Sequence, residues 1–247
     1  MAEEQEKNPD KAKARDRLEA ERTGDILRGI IQDRPQLEII VRLCTDIESR
    51  EEESGLHILR MISFCVEAGR TLELDNTILR RLVLAAVLHD VGKLLIPERI
   101  LLKTGKLDEF EWTIVKEHPN LGFRLLKSSQ YDDLKAVAEI IACHHEKWDG
   151  SGYPAGLVED SIPLLARIVA AADVFDACLS TRAYKSSYPF DTSLNIIRDA
   201  SASHFDPQVV EAFISRKDTL RSIAENLSPK SQEDPTFRFT EFLEGRR

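Results

Sequence analysis

Histidines and aspartates of the kind that bind metal ions recur along this chain beside apolar residues. Five of its six histidines and two aspartates make up the set: His57, His89, Asp90, His118, His144, His145 and Asp173. Imidazole nitrogens and carboxylate oxygens are ligands for divalent first-row metals, and seven such groups exceed the needs of one ion. The set therefore predicts two ions side by side with a water between them. Iron or manganese suits it better than structural zinc, which prefers a closed four-coordinate shell.

The spacing of these residues predicts that they face the protein interior. His118 follows Ile114 by four residues, and His144 follows Ile140 by four. At helical spacing such residues share one face of a helix. Burying a polar group without a partner costs about 1–3 kcal/mol. Separate core histidines, each satisfied by a hydrogen bond, are the alternative for any one residue, but they do not account for the whole set.

Two sequence motifs carry a family resemblance. Residues 89–93, HDVGK, resemble the HDxGK signature of HD-domain metal-dependent phosphohydrolases, although the HD pair alone is common by chance. Residues 144–154, HHEKWDGSGYP, are similar to the unbroken HHExxDGxGYP motif of the HD-GYP subgroup. The similarity runs from about His57 to about Phe213, most of the chain. It implies an all-α fold: an HD-domain helical bundle with a metal centre in its core and a GYP loop, preceded by a short helical N-terminal extension.

The resemblance also implies an activity. Known members of the family are bacterial enzymes that hydrolyse the signalling dinucleotide cyclic di-GMP to pGpG, and further cleavage to GMP is left open. A metal-bridging hydroxide would attack the phosphodiester, with two ions about 3.5–4 Å apart contacting phosphate oxygens. Asp90 is the expected bridging carboxylate. Lys93 is expected to face the scissile phosphate and stabilise its charge.

Further positions are expected to bind the substrate. Arg182 and Lys185 resemble a family segment that binds substrate phosphate or guanine, although Ala183 stands where the family usually has proline. Gly152 and Tyr153 belong to the GYP loop, which is expected to shape the pocket wall and is also a candidate surface for a protein partner.

Two further acidic residues lie within four positions of candidate ligands. Glu53 precedes His57 by four residues, so both can face one metal on a helix. In part of the family a glutamate there helps to hold a third ion, which would give two or three ions. The acidic run 51–53 is equally typical of a solvated helix start, so both interpretations stay open. Asp176 follows Asp173 by three residues and is expected behind the ligands.

The spacing of apolar residues, together with the positions of proline and glycine, predicts a succession of helices. No alternation of apolar and polar residues of the kind found in strands persists. In chain order we expect a buried helix over 77–90, a loop over 94–106, a helix that starts with a capping box at Asp108 and ends by Pro119, a helix over 133–145, a breaker-rich loop over 147–161, a helix over 164–179 and a helix that starts at Asp206-Pro207.

The chain ends differ in composition from its middle. Residues 1–24 are charged and poor in apolar side chains, whereas the following amphipathic stretch, interrupted by Pro35, is expected to pack onto the domain as a helix. A signalling or dimer helix is the alternative. We expect three parts: an N-terminal charged tail and helical extension over 1–45, an HD-GYP catalytic domain over 46–217, and a C-terminal helix and polar tail over 218–247.

Composition limits the partners of the protein. Its 247 residues carry a formal net charge of -9, which disfavours binding to a nucleic acid polymer. No apolar run approaches the ~20 residues of a membrane span, and no signal peptide opens the sequence. The four cysteines show no CxxC spacing and are expected to be reduced, mostly buried thiols of a cytoplasmic protein.

Three functions compete. A cyclic di-GMP phosphodiesterase is favoured. A phosphohydrolase for another cyclic dinucleotide or for mononucleotides is the second, and the intact GYP segment argues against mononucleotides. The third is a catalytically weak adaptor that binds cyclic di-GMP and docks partners through the GYP loop; lost ligand residues would indicate it, and none is lost here. Formation of a homodimer stays open.

Overall fold

The fold is helical throughout the part of the chain that the computed structural model describes, residues 25–35, 37–51, 56–180 and 187–227. The predicted all-α class is confirmed. Residues 25–33 form helix α1, and the remaining α-helices are α2 Leu37–Glu51, α3 His57–Thr71, α4 Asn76–Leu88, α5 Glu98–Leu101, α6 Glu109–Val115, α7 His118–Lys127, α8 Asp132–Ala142, α9 Leu164–Leu179, α10 Phe190–Asp199, α11 Pro207–Ser215 and α12 Lys217–Asn226. Two 3-10 turns cover Val91–Leu95 and Glu159–Ser161.

The core surrounds α3 and α4. Helix α3 is buried from His57 to Gly69, and α4 is apolar nearly all round, as its sequence predicted. α3 packs against α4 and α9, while α7 packs against α8 and the first 3-10 turn. Phe64 on α3 contacts Phe175 on α9 edge-on, with ring centroids 5.0 Å apart. These contacts fix the relative positions of the helix ends that carry the candidate ligands.

The amphipathic stretch near the start of the described chain packs onto this core. Leu27, Ile30, Leu37 and Val41 are buried, and Pro35 separates α1 from α2. The favoured interpretation, a packed helix, is confirmed. Helix α2 runs through residues 45 and 46, and the division of the chain into three parts remains a prediction.

Polar caps begin several helices where the sequence indicated them. Asp108 accepts a hydrogen bond from the backbone N–H of Glu111, and the Glu111 side chain accepts one from the N–H of Asp108, so the predicted capping box is present. Asp206 caps α11 ahead of Pro207, also as predicted.

Of three predicted boundaries, two are wrong and one is confirmed. The expected loop over 94–106 contains the end of a 3-10 turn and α5. The helix predicted to end by Pro119 does so, at Val115, and a new helix, α7, begins at His118, because proline fits the first turn of a helix and not its interior. Helix α8 ends at Ala142 and not at residue 145, so both of the following histidines lie beyond it.

Two further expectations concern the membrane and the thiols. None of the described helices combines the length and the apolarity that a bilayer span requires. The cysteines are free thiols, with Cys44, Cys65 and Cys178 buried and Cys143 partly buried. Burial raises the pKa of Cys143 to about 11, so this thiol stays protonated beside the candidate site.

Candidate metal centre

The seven side chains predicted as ligands come together in two adjacent groups, within each of which the ligand atoms lie within 4.8 Å of one another. The first group consists of Asp90, His118, His144 and His145, and the second consists of His57, His89 and Asp173. The groups adjoin: the ring centroids of His89 and His144 are 5.4 Å apart. Glu53, Arg182 and Lys185 lie outside the described residues.

Most of these residues lie at helix ends and not within helices. His57 and His118 are the first residues of α3 and α7, His89 and Asp90 follow α4, and His144 and His145 follow α8; Asp173 alone lies inside a helix, α9. The spacing argument that related His118 to Ile114 was therefore wrong in its mechanism, since the two residues belong to different helices. These helix ends meet in the interior, so ligand residues from several helices come together there.

Three of the histidines are oriented in the same way. In each, Nδ1–H donates a hydrogen bond to the carbonyl oxygen three residues earlier, at 2.9 Å for His89, 2.7 Å for His118 and 2.6 Å for His144. A carbonyl oxygen only accepts hydrogen bonds, so Nδ1 must carry the proton. The lone pair then lies on Nε2, which faces the site in the tautomer that binds a metal ion.

His57 is oriented by a carboxylate. Its Nδ1–H donates to Asp176 Oδ2 at 2.6 Å, and Arg60 donates to both oxygens of Asp176 from Nε and Nη2. Burial alone would raise the pKa of Asp176, but the charge of Arg60 and the hydrogen bonds outweigh burial and hold that pKa well below its usual range. Asp176 is thus a buried carboxylate behind a candidate ligand, as expected, whereas Arg60 was not predicted.

The facing atoms of the first group need a cation between them. His118 Nε2 lies 3.3 Å from His144 Nε2 and 3.0 Å from Asp90 Oδ1. With both Nδ1 atoms protonated, all three atoms are acceptors. Asp90 Oδ1 is buried and accepts no hydrogen bond from any described residue. Two metal–nitrogen bonds of about 2.1 Å would place their nitrogens about 3.0–3.4 Å apart, so the group fits one bound ion.

Asp90 lies between the two groups. Its Oδ1 faces His118, and its Oδ2 lies 3.1 Å from His89 Nε2 and 2.8 Å from Lys93 Nζ. Burial would raise the pKa of Asp90, but Lys93, followed by His89 and His118, outweighs burial and holds this pKa well below its usual range. The residue is a carboxylate whose two oxygens point to different candidate ions.

Two histidines of the first group, His144 and His145, are neutral. Burial, the largest effect, lowers the pKa of His144 to about 3 and also lowers that of His145, and neighbouring histidines add to both effects. A metal ion binds imidazole in its neutral form, so these residues can bind an ion without first losing a proton.

A cavity of about 250 Å³ opens onto the site. Five of the residues that line it are polar or charged: Asp90, Lys93, His118, His145 and Asp173. The remaining lining residues are mostly apolar: Ile100, Leu101, Leu107, Trp112, Val115 and Tyr153. The cavity therefore offers charged and polar groups suited to a phosphate and apolar side chains suited to an organic group attached to it.

The GYP loop is held against this cavity by a buried glutamate. Glu146 accepts backbone hydrogen bonds from Ala155 at 2.7 Å and Leu157 at 3.1 Å. A Cβ at Gly152 would lie 2.3 Å from the Lys147 nitrogen, so only glycine fits there. The loop stacks the ring of Tyr153 on that of His145, with centroids 4.8 Å apart.

Sequence reasoning missed Arg60 and Glu146. Arg60 follows His57 by three residues within a run that is otherwise almost entirely apolar, and a lone arginine there was the available signal. Glu146 belongs to the motif that the sequence analysis quoted, but the backbone groups that it binds are distant in sequence and give no local pattern.

Comparison with known families agrees with this geometry. The profile of the HD domain family matches residues 27–209, most of the chain. The chain belongs to the HD domain family. The resemblance to HD-GYP phosphohydrolases is confirmed by its curated relatives.

Two relatives and one solved structure illustrate the similarity. The chain is 42% identical to a cyclic di-GMP phosphodiesterase of Vibrio cholerae, over 75% of this chain and 40% of the relative. It is 37% identical to the 3'3'-cGAMP-specific phosphodiesterase 2 of the same organism, over 77% of this chain and 36% of the relative. The chain thus spans less than half the length of both relatives. An HDG"Y"P protein from Bdellovibrio bacteriovorus shares the fold, with a TM-score of 0.55 and 17% identity, over 89% of this chain and 74% of that chain.

Proposed function

We propose that this HD domain is a metal-dependent phosphodiesterase that hydrolyses cyclic di-GMP to pGpG. The observation that carries the proposal is the position of Asp90, whose two oxygens face two separate groups of histidine and aspartate side chains beside Lys93. The names of the relatives supply the substrate class. Subsequent cleavage to GMP remains open.

The ligand groups suit two divalent ions, which we propose to be iron or manganese. His118, His144 and His145 would bind one ion, and His57, His89 and Asp173 the other, with Asp90 contacting both. Such ions supply a water of lowered pKa and neutralise phosphate charge. A third ion held by Glu53 is part of the same proposal, as are phosphate or guanine contacts by Arg182 and Lys185.

The chain's own residues perform four tasks in this reaction. The backbone carbonyls and Asp176 keep four of the histidines in the tautomer that exposes Nε2: His57, His89, His118 and His144. Lys93, on the cavity wall, neutralises charge that develops on the phosphate oxygens. The apolar wall excludes water from the substrate side of the cavity. The GYP loop closes the cavity at Tyr153.

The second candidate is a phosphodiesterase for a mixed cyclic dinucleotide. It is favoured by the relative named for cGAMP, a molecule with one guanine and one adenine. We also propose a cytoplasmic protein. A homodimer and a protein partner at the GYP loop remain hypotheses.

Anaerobically purified protein tests the proposal. We expect bound iron or manganese close to two ions per chain, or three if Glu53 binds one, and turnover of cyclic di-GMP faster than that of cGAMP or cyclic di-AMP. Asp90→Ala should lower turnover at least 100-fold, the range for loss of one electrostatic group, while circular dichroism keeps the helical signal. Asp199→Ala, at the exposed end of α10, is the control. Wild-type turnover in metal-depleted Asp90→Ala would refute the mechanism.

A further inference from the structure

A second groove adjoins the metal cavity. It has a volume of about 480 Å³ and is lined by Glu109, Trp112, Thr113, Lys116 and Tyr153. The first four are spaced i, i+3, i+4 and i+7, so they form one face of α6 that continues to Lys116, the residue after its end. Trp112 and Tyr153 also line the metal cavity, so the two spaces share a wall.

The size of the metal cavity requires a second binding space. Its volume of about 250 Å³ is below the roughly 300–1,000 Å³ of sites that enclose small organic ligands. A cyclic dinucleotide with one phosphodiester at Asp90 and Lys93 would not fit inside it. The bases must therefore extend beyond the cavity, and the groove begins at its apolar rim.

The side chains of the groove suit a nucleobase. Trp112 is half exposed, at 50%, although large aromatic side chains gain stability by burial. Lys116 Nζ lies 5.5 Å from the ring centroid of Tyr153, which places a cation beside this aromatic wall. Aromatic rings bind unpaired bases by stacking, and lysine donates to the O6 and N7 atoms of guanine. Glu109 adds an exposed carboxylate on the same helix face.

We propose that this groove is a guanine subsite, an inference that rests on the proposed function. Trp112 stacks on the base. The carboxylate of Glu109 accepts hydrogen bonds from N1–H and N2–H of guanine, both of which are donors. Adenine presents an acceptor at N1, which repels a carboxylate. Lys116 donates to O6. The groove therefore determines which base lies next to the cleaved phosphodiester.

Binding of mononucleotides to the metal-loaded whole chain tests the stacking residue. GMP carries the base and the phosphate but has no phosphodiester to cleave, and inorganic phosphate probes the metals alone. We expect Trp112→Ala to raise the Kd of GMP about 5- to 150-fold, the effect of losing one stacked base. Phe110→Ala removes a neighbouring aromatic side chain that is 73% exposed and outside the groove, and should change this Kd less than twofold. Equal GMP binding by Trp112→Ala and the wild type would overturn the proposal.

The choice of base tests Glu109. The wild type should bind GMP more tightly than AMP, and Glu109→Gln should lower this preference about tenfold, because the amide of glutamine matches the donor and acceptor edge of adenine. Glu211→Gln removes the same charge from an exposed position on α11 and should keep the preference. A wild type without preference, or an unchanged preference in Glu109→Gln, contradicts guanine recognition.

These binding results are separate from the test of hydrolysis. A chain that binds GMP through Trp112 but cleaves no cyclic dinucleotide retains the subsite and refutes the phosphodiesterase. A chain that cleaves cyclic di-GMP while Trp112→Ala binds GMP normally retains the phosphodiesterase and refutes the subsite.

Discussion

Asp176→Asn is expected to weaken one of the two proposed metal sites by changing a tautomer. Asp176 Oδ2 accepts from His57 Nδ1–H and from Arg60 Nη2, while Oδ1 accepts from Arg60 Nε. Asparagine has one accepting oxygen and one NH₂ group. If the oxygen stays toward Arg60 Nε, the NH₂ group faces His57 and favours the tautomer in which Nδ1 is the acceptor. The proton then moves to Nε2, the atom that faces the site.

Two magnitudes follow from this geometry. Loss of a hydrogen bond that orients a metal-binding histidine lowers metal affinity about 10- to 100-fold. Asp176 is fully buried and Arg60 is 5% exposed, and breaking a buried ion pair costs about 3–5 kcal/mol. Asparagine keeps one accepting oxygen, so we expect the free energy of unfolding to fall by about 3 kcal/mol, at the lower end of that range.

The assay separates the two effects. Urea unfolding in the presence of a chelator measures the free energy of unfolding without metal. Calorimetric titration with Mn²⁺ then measures the affinity and number of sites, and we expect one of two tight sites to weaken. Asp191→Asn is the control, because Asp191 is also paired with an arginine, Arg221, but lies at the surface. It should change neither the free energy of unfolding nor the affinity for Mn²⁺ appreciably. Two sites of wild-type affinity in Asp176→Asn would refute the tautomer argument.

Two further changes test the loop and the third ion. Glu146→Gln replaces one of two accepting oxygens by an NH₂ group, which then faces a backbone N–H. Hydrogen exchange at the amide of Ala155 or Leu157 should therefore accelerate, and the free energy of unfolding should fall by about 1–3 kcal/mol. Unchanged exchange at both amides would contradict this expectation. Glu53→Gln should lower bound metal by about one ion per chain while Glu52→Gln retains it, as measured by metal analysis; equal metal content in both variants would show that Glu53 holds no ion.

Sequence periodicity predicted those helices whose ends coincide with strong local signals. The helix over 164–179 was predicted to the residue, because Pro163 precedes it and its apolar pattern is continuous. Asp108 and Asp206 gave the starts of α6 and α11 because each is an N-cap aspartate, followed by a capping-box glutamate in α6 and by Pro207 in α11. No such signal marks the end of α8 at Ala142. The residues after it contain no proline or glycine before Gly150, so the sequence does not show where this helix stops.

The structure brings the seven candidate ligands together, although the two arguments that selected them differ in value. The family motif pointed to residues 89–93 and 144–154 as they stand in the structure. The helical-face argument did not apply to His118 or His144, since each lies at a helix end. Arg60, Glu146 and the groove beside Trp112 depend on contacts between residues far apart in sequence, and local patterns carry no information about such contacts.

The carbonyl groups at the ends of helices orient three of the candidate metal-binding histidines. The last four carbonyl groups of an α-helix have no partner within the helix. The carbonyls that accept from His89, His118 and His144 belong to the last turns of α4, α6 and α8 respectively. One hydrogen bond therefore satisfies a carbonyl at the helix end and fixes the histidine tautomer. His57 begins a helix, where the free groups are N–H donors that cannot hold Nδ1–H, and so this position needs the carboxylate of Asp176.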